Sequence, residues 1–144
     1  MADDIKEQLR KRMKDGWIRT WMAFEVLAVT EEAADSSLKN HLEKMKKIPA
    51  TLVYKSEFKK TEKVENPFKK PKHAYSKVLE LEMAARSFDA LVFIVLNYAP
   101  TSVEVLEPEK VSMDMGEAQG ILNTMAETMH SFAATQRSRI MIDT

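Results

Sequence analysis

YSKVLELEMAARSFDALVFIVLNYAPTSVEVLEPEKVSMDM, residues 75–115, decides the fold. Residues 75–84 alternate, with Leu79, Leu81 and Met83 on one side and Val78, Glu80 and Glu82 on the other. That period of two marks a half-buried strand. Arg86-Ser87 breaks the alternation, and Ser87-Phe88-Asp89 can cap a short helix through Tyr98. A continuous apolar run of this length also fits a buried strand. Helix is the preferred reading, because a turn at each end returns the chain for a crossover. After Ala99-Pro100-Thr101 a second strand spans 103–106, with Val103 and Val105 inward and Ser102, Glu104 and Leu106 outward. Pro108, which has no N–H to donate, confines further pairing to an edge or an end.

The upstream residues read as a matching strand–helix–strand half. In 17–29, Ile18, Thr20, Met22, Phe24, Val26 and Ala28 share the face expected to be covered by helices. Trp17, Arg19, Trp21, Ala23, Glu25 and Leu27 share the other. Thr30 followed by Glu31 and Glu32 is an N-cap with acidic first-turn residues, opening a helix to about Lys47. It would bury Ala34, Leu38, His41 or Leu42, and Met45, and Pro49 closes it. Residues 50–58 form the next strand, with Leu52 and Tyr54 on one face and Val53 on the other.

Between Lys55 and Lys77 the composition shifts to eight lysines against three glutamates. With Pro67, Pro71 and few aliphatics, this reads as a long, mobile hairpin loop. Helices flank the core at both ends. Residues 2–14 carry only a thin apolar stripe, Ile5, Leu9 and Met13, and Gly16 stops that helix. So narrow a stripe fits loose docking or a contact with another subunit. Asp114 caps a final helix, about 114–135, whose Met115, Ala118, Ile121, Leu122, Met125, Met129 and Phe132 form a broad apolar face. The tail from Gln136 would be ordered only if it docks.

The order α–β–α–β–β–α–β–α predicts an α+β, ferredoxin-like βαββαβ antiparallel sandwich with additional terminal helices. Its strands 17–29 and 75–84 lie in the middle. A single domain is expected over 1–144, with its core at about 17–113. The absence of cysteine excludes disulfides, thiol catalysis and Cys-ligated zinc. Lys and Arg number 22, balancing 22 Asp and Glu, so no global field steers the chain toward nucleic acid or membrane. The longest apolar run, 90–96, is far shorter than the roughly 20 residues that span a bilayer. The expectation is a cytoplasmic, soluble protein.

The segment Asn97-Tyr98-Ala99-Pro100-Thr101-Ser102-Val103-Glu104-Val105-Leu106-Glu107-Pro108-Glu109, with the helix carrying Ile121-Leu122-Asn123 and His130, resembles a group of uncharacterised archaeal proteins. That group shares an aromatic-x-Pro-Ser/Thr-Ser-x-Glu-aliphatic-x-Glu-Pro pattern and a late Asn…Leu…His helix. The Val-Glu-Val-Leu-Glu-Pro core is also similar to the last strand of the ferredoxin-like extension of WYL-type regulators. Thr124 stands where the archaeal pattern places an acidic residue. The resemblance implies the fold and an archaeal source, and no activity.

Candidate chemistry lies first on the sheet face turned away from the helices. Glu25, Glu80 and Glu82 there can converge as acid/base groups or hard-cation ligands. Alternatively, Arg19 and neighbouring lysines pair with them at a solvated face or a subunit interface. Trp21, Arg19 and Glu104 are ligand-binding candidates on the same face. Lys59, Lys60, Lys69, Lys70 and Lys72, with Phe58, Phe68, His73 and Tyr75, can grip a phosphate backbone or stack on bases. The sheet glutamates and zero net charge oppose that reading. Glu127 and His130 form one Glu-x-x-His pair, and di-iron bundles need two, so no metal site is expected; His41 and His73 add no second pair. With three glycines there is no P-loop or dinucleotide fingerprint, and no cofactor is implied. The leading expectation is a non-enzymatic, self-associating ligand-binding or regulatory module. A nucleic-acid-binding protein using loop 55–77, or a small enzyme using the sheet carboxylates, are the alternatives.

Overall fold

The computed structural model describes residues 2–66 and 72–143, with side chains for 3–66 and 72–135. The elements are α1 (Ala2–Lys14), β1 (Ile18–Ala28), α2 (Glu31–Lys46), β2 (Thr51–Phe58), β3 (Glu62–Glu65), β4 (His73–Ala85), α3 (Phe88–Tyr98), β5 (Ser102–Glu107) and α4 (Met115–Asp143). They form two compact units: Met1–Ser87 with Pro100–Glu109, and Phe88–Ala99 with Lys110–Thr144.

The first unit is an antiparallel sheet in the order β2-β4-β1-β5, with β3 also paired to β4. β1 and β4 hold the middle, as the sequence predicts. Their register sets Ile18 opposite Ala85, Thr20 opposite Met83, Met22 opposite Leu81 and Phe24 opposite Leu79. All eight side chains are buried. Directly opposed residues share a face, so this register builds one continuous apolar surface. α2 packs on it, contacting β1, β4 and β2. Its buried stripe is Ala34, Leu38, Leu42 and Met45. Each large member stabilises the unit by about 1.5–3 kcal/mol through lost apolar exposure.

The helix ends follow their local chemistry. The Thr30 side chain accepts a hydrogen bond from the Ala33 N–H at 3.0 Å, satisfying one donor that the first helical turn leaves open. Gly16, at φ +86°, ends α1. The Trp17 N–H donates to the Arg12 carbonyl and the Gly16 N–H to that of Met13. This reciprocal pair, closed over a left-handed residue, is a Schellman motif. The half-buried stripe Ile5, Leu9 and Met13 belongs to a helix that packs on β2 and β4 of its own chain. The Arg12 guanidinium lies 4.8 Å from the Trp17 ring centre.

Two expectations are corrected in this unit. Residues 55–77 are not one long loop among those described: β3 pairs along the far end of β4, Val64 opposite Ala74 and Lys63 opposite Tyr75. Ladder hydrogen bonds use backbone groups, so a short edge strand tolerates the charged side chains that made this stretch look like a loop. Secondly, Val103 and Val105 do share the face of Met22 and Thr20, yet they remain 41% and 49% exposed. β5 is an edge strand, and α2 spans the other three of the row. Leu106 falls in a bulge, because Thr20 pairs with Val105 while Arg19 pairs with Glu107.

The second unit pairs α3 with α4. The 88–98 run is a helix, with Leu91 and Ile94 buried. Asp114 caps α4, its carboxylate accepting from the Glu117 N–H at 2.8 Å. The broad apolar face expected to be covered is largely open: Met115, Leu122, Met125, Met129 and Phe132 are exposed, and Ile121 is half-buried. Within 115–135 the half-buried positions of α4 are Ala118, Gly120, Ile121, Thr124, Thr128 and Ala133, and its methionines, Leu122 and Phe132 are left outward.

Candidate functional site

The open face of the sheet is organised by one arginine. Arg19 on β1 reaches across both neighbours, since β1 pairs with β4 and β5. One Nη lies 3.1 Å from the Glu82 carboxylate and the other 3.0 Å from that of Glu107. Tyr54 joins them. It is passed over in the β2–β4 register between Val53 and Lys55, and its hydroxyl donates to Glu82 at 3.0 Å while accepting from Arg19 at 3.4 Å. Burial pushes the Tyr54 hydroxyl up to about 12; the Arg19 hydrogen bond pulls against this and Glu82 adds to it. The bond to Tyr54, then that to Glu107 against the opposing cost of burial, hold the Arg19 guanidinium above its ordinary value.

Glu25, Glu80 and Glu82 are each held by partners of their own. Glu82 is held by Arg19, Tyr54 and, at 3.4 Å, Lys55. Glu80 is held by Lys59 at 3.1 Å. Glu25 accepts from the Ser76 hydroxyl at 2.8 Å. Among the described residues no group of three or more His, Asp or Glu side chains is placed to hold a metal ion. The physical reason lies in the register: Glu80 sits opposite Ala23 and Glu82 opposite Trp21, whereas Glu25 faces Val78. Trp21 lies between Glu82 and Glu104 on the two neighbouring strands. It lines a depression of about 60 Å³ with Lys55, Glu57, Glu80 and Glu82. That space suits a water or two, against the several hundred Å³ of a small-molecule site.

The lysines read as a phosphate grip are partly spent on acids. Lys59 bridges Glu80 and Glu57, which raise its pKa in that order. Lys77 leaves the expected loop altogether: on β4 it donates to Asp35 of α2 at 2.6 Å, and its ammonium lies 5.6 Å from the Phe58 ring centre. Lys60 and Lys72 are exposed. Lys69 and Lys70 lie outside the described residues.

The helical unit carries, among the described residues, a groove of about 480 Å³ between α3 and α4. Phe93, Leu96 and Phe132 supply apolar walls; Asn97, Thr124, Glu127, Thr128, Ser131 and Thr135 supply polar ones. Thr128 and Thr135 donate to the carbonyls of Thr124 and Ser131 one turn back. Their hydroxyl oxygens are thus left as acceptors toward the groove. The Thr124 hydroxyl lies 2.7 Å from Asp89 and 3.0 Å from the Gly120 carbonyl, and its single proton goes to the carboxylate. Glu127 lines the groove, whereas His130 and Asn123 are exposed. The sequence carries a signal for this groove in hydroxyls four apart at 124 and 128 and again at 131 and 135.

Sheet, edge strand and paired helices define a mixed α+β protein, with four helices and a five-stranded antiparallel sheet among the described residues. The sequence model of the MJ0538 family matches residues 19–142, and the chain belongs to that family. No curated protein matches it. The local likeness to WYL-type regulators finds no support in the family match. Among the described residues no helix is long and apolar enough to cross a membrane.

Proposed function

We propose that this protein is a non-enzymatic, self-associating binding or regulatory module of the archaeal cytoplasm, built on a ferredoxin-like βαββαβ core. Its ligand site is the groove between α3 and α4. The observation that carries this reading is the contrast between the sheet depression and the helical groove. On the sheet, Glu80 and Glu82 are each neutralised by a cation, which ties up these two carboxylates against proton exchange with a substrate. In the helical unit, about 480 Å³ is lined by aromatic walls and hydroxyl acceptors, a volume and a mixture typical of small-molecule sites. The hydroxyl oxygens and the Glu127 carboxylate accept hydrogen bonds. They suit a small ligand with an apolar body and N–H or O–H donors, such as an amine or an alcohol. The ferredoxin-like core is supported by the central β1–β4 pair and by helices preceding β2 and β5. The resemblance of the 97–109 segment supports the archaeal source, and the lack of cysteine fits a reducing compartment.

A thermal-shift panel of small amines, alcohols and neutral amphiphiles tests the reading. A ligand at a hundred times its Kd stabilises the folded state by about 2.7 kcal/mol, a melting shift of several degrees. Ser131→Trp, which fills the groove from an exposed position, should abolish that shift. A hit that binds Ser131→Trp equally well, or a panel with no hit at millimolar concentration, overturns the groove as the site.

A further inference from the structure

The exposed apolar side chains of α4 are not scattered. Met115, Leu122, Met125, Met129 and Phe132 are 81%, 64%, 43%, 59% and 62% exposed. With Ala118 they follow one another at steps of three, four, three, four and three residues. A strict alternation of three and four is the 3.5-residue repeat of a helix seam that receives another helix with knobs in holes. We propose that this seam docks against the same seam of a second copy of the chain, forming a two-helix interface between identical subunits. The proposal rests on the reading of the protein as self-associating and names the surface and the partner.

Three observations favour a second copy. First, of the positions flanking the seam only Asp114, whose carboxylate is engaged as the cap of α4, is charged; Gln119, Ile121, Ala126, Thr128 and Ala133 carry no charge. Flanking charges are what select unlike partners and repel like ones, so identical helices meet here without penalty, and the small Ala126 and Ala133 allow close approach. Second, the area is sufficient. Taking a large side chain as roughly 150–200 Å², the five exposures offer about 500 Å² per copy. The pair then buries about 1,000 Å², the lower bound for a specific interface. Third, within 118–135 the ionisable side chains are Glu127 and His130, with no lysine or arginine. A helix lying on an anionic membrane surface is rich in both.

Light scattering on the full chain from about 1 to 200 µM tests this. The wild type should pass from the 16.5 kDa monomer to twice that mass. Leu122→Glu and Met129→Glu should weaken association by roughly a hundredfold or more, since each buries an unpaired carboxylate in an apolar seam. Asn123→Glu, an exposed polar position outside the repeat, should leave it unchanged. A wild type monomeric throughout overturns both the seam and the self-association. A dimer indifferent to both seam variants overturns the seam alone. Should either variant lose its far-ultraviolet circular dichroism, single cysteines decide, cleanly because the chain has none of its own. One of Leu122→Cys, Met125→Cys and Met129→Cys must then cross-link under oxidation faster than Asn123→Cys, and equal rates overturn the seam. The groove reading is tested separately, by whether ligand binds the monomer at all.

Discussion

Replacing Arg19 by methionine separates a structural network from a chemical site on the sheet face. Methionine keeps an unbranched apolar stem at the position and removes the charge. The loss has two parts. The contact to Glu107 is to a side chain 55% exposed, and such pairs are worth little. The contact to Glu82 joins side chains 26% and 18% exposed. Stranding a buried carboxylate costs about 3–5 kcal/mol, and a charged hydrogen bond is worth about 1.5–3 kcal/mol. Glu82 keeps some water, the Tyr54 hydroxyl and Lys55 at 3.4 Å, so about 2 kcal/mol is expected. For a chain of this size that corresponds to a melting temperature lower by about 4–8 °C.

The assay is urea unfolding followed by tryptophan emission. Trp17 and Trp21 are the two tryptophans and both belong to the sheet unit, so the signal reports that unit. The decisive comparison is a double-mutant cycle. Glu82→Gln in the Arg19→Met background removes the stranded charge and should recover about 1 kcal/mol. If Arg19→Met lies within about 0.5 kcal/mol of wild type, or Glu82→Gln gives no recovery in that background, the network does not hold the sheet and the reasoning fails.

Two further outcomes follow from named contacts. Burial lowers the His41 pKa below its ordinary 6.5, with Lys44 adding to the effect, where the ring stands 4.5 Å from Phe24. The folded state then binds fewer protons than the unfolded chain, so stability present above pH 6.5 is lost as pH falls through the folded value. Denaturation midpoints at pH 7.5 and 5.5 should differ in that sense, and His41→Phe should flatten the difference; a midpoint rising toward acid contradicts it. Thr30→Ala removes the cap on α2 and should cost about 1 kcal/mol by urea unfolding. Thr30→Asp should restore most of it.

Most elements were legible because their chemistry is local. Thr30 with Glu31 and Glu32 opens α2, Gly16 closes α1 and Asp114 opens α4, each through a side chain or dihedral within three residues of the helix end. The alternation in β1 and β4 fixed which residues face the core, because a one-residue slip would invert every side chain. What was illegible depends on pairing across the chain. β3 looks like loop in composition and becomes a strand through the extended end of β4. Tyr54 joins the Arg19 network only because the β2 register slips beside it. Lys77 reads as one lysine among eight until α2 brings Asp35 over it. Long-range partners decide all three.

The carboxylates drew attention in the sequence because acids on one strand face repel unless something answers them. Arg19, Lys55, Lys59, Tyr54 and Ser76 answer them. A surface whose charges are already paired gains little from a new partner, since any ligand must first displace an existing contact. The helical unit is in the opposite condition. α4 holds large apolar side chains in water and lines a groove whose threonine hydroxyls present acceptor lone pairs, and burial of the apolar side chains lowers the free energy when something binds. Phe132 belongs to both, as a groove wall and as the last large residue of the seam. Pairing of two α4 seams would fix the Phe132 ring and thereby shape one wall of the groove. Ligand affinity should accordingly depend on protein concentration, and by reciprocity of coupled equilibria a groove ligand should shift the dimerisation constant by the same factor. Titrating a bound ligand at 1 and 200 µM protein measures that factor. A value of one would mean that groove and seam act independently.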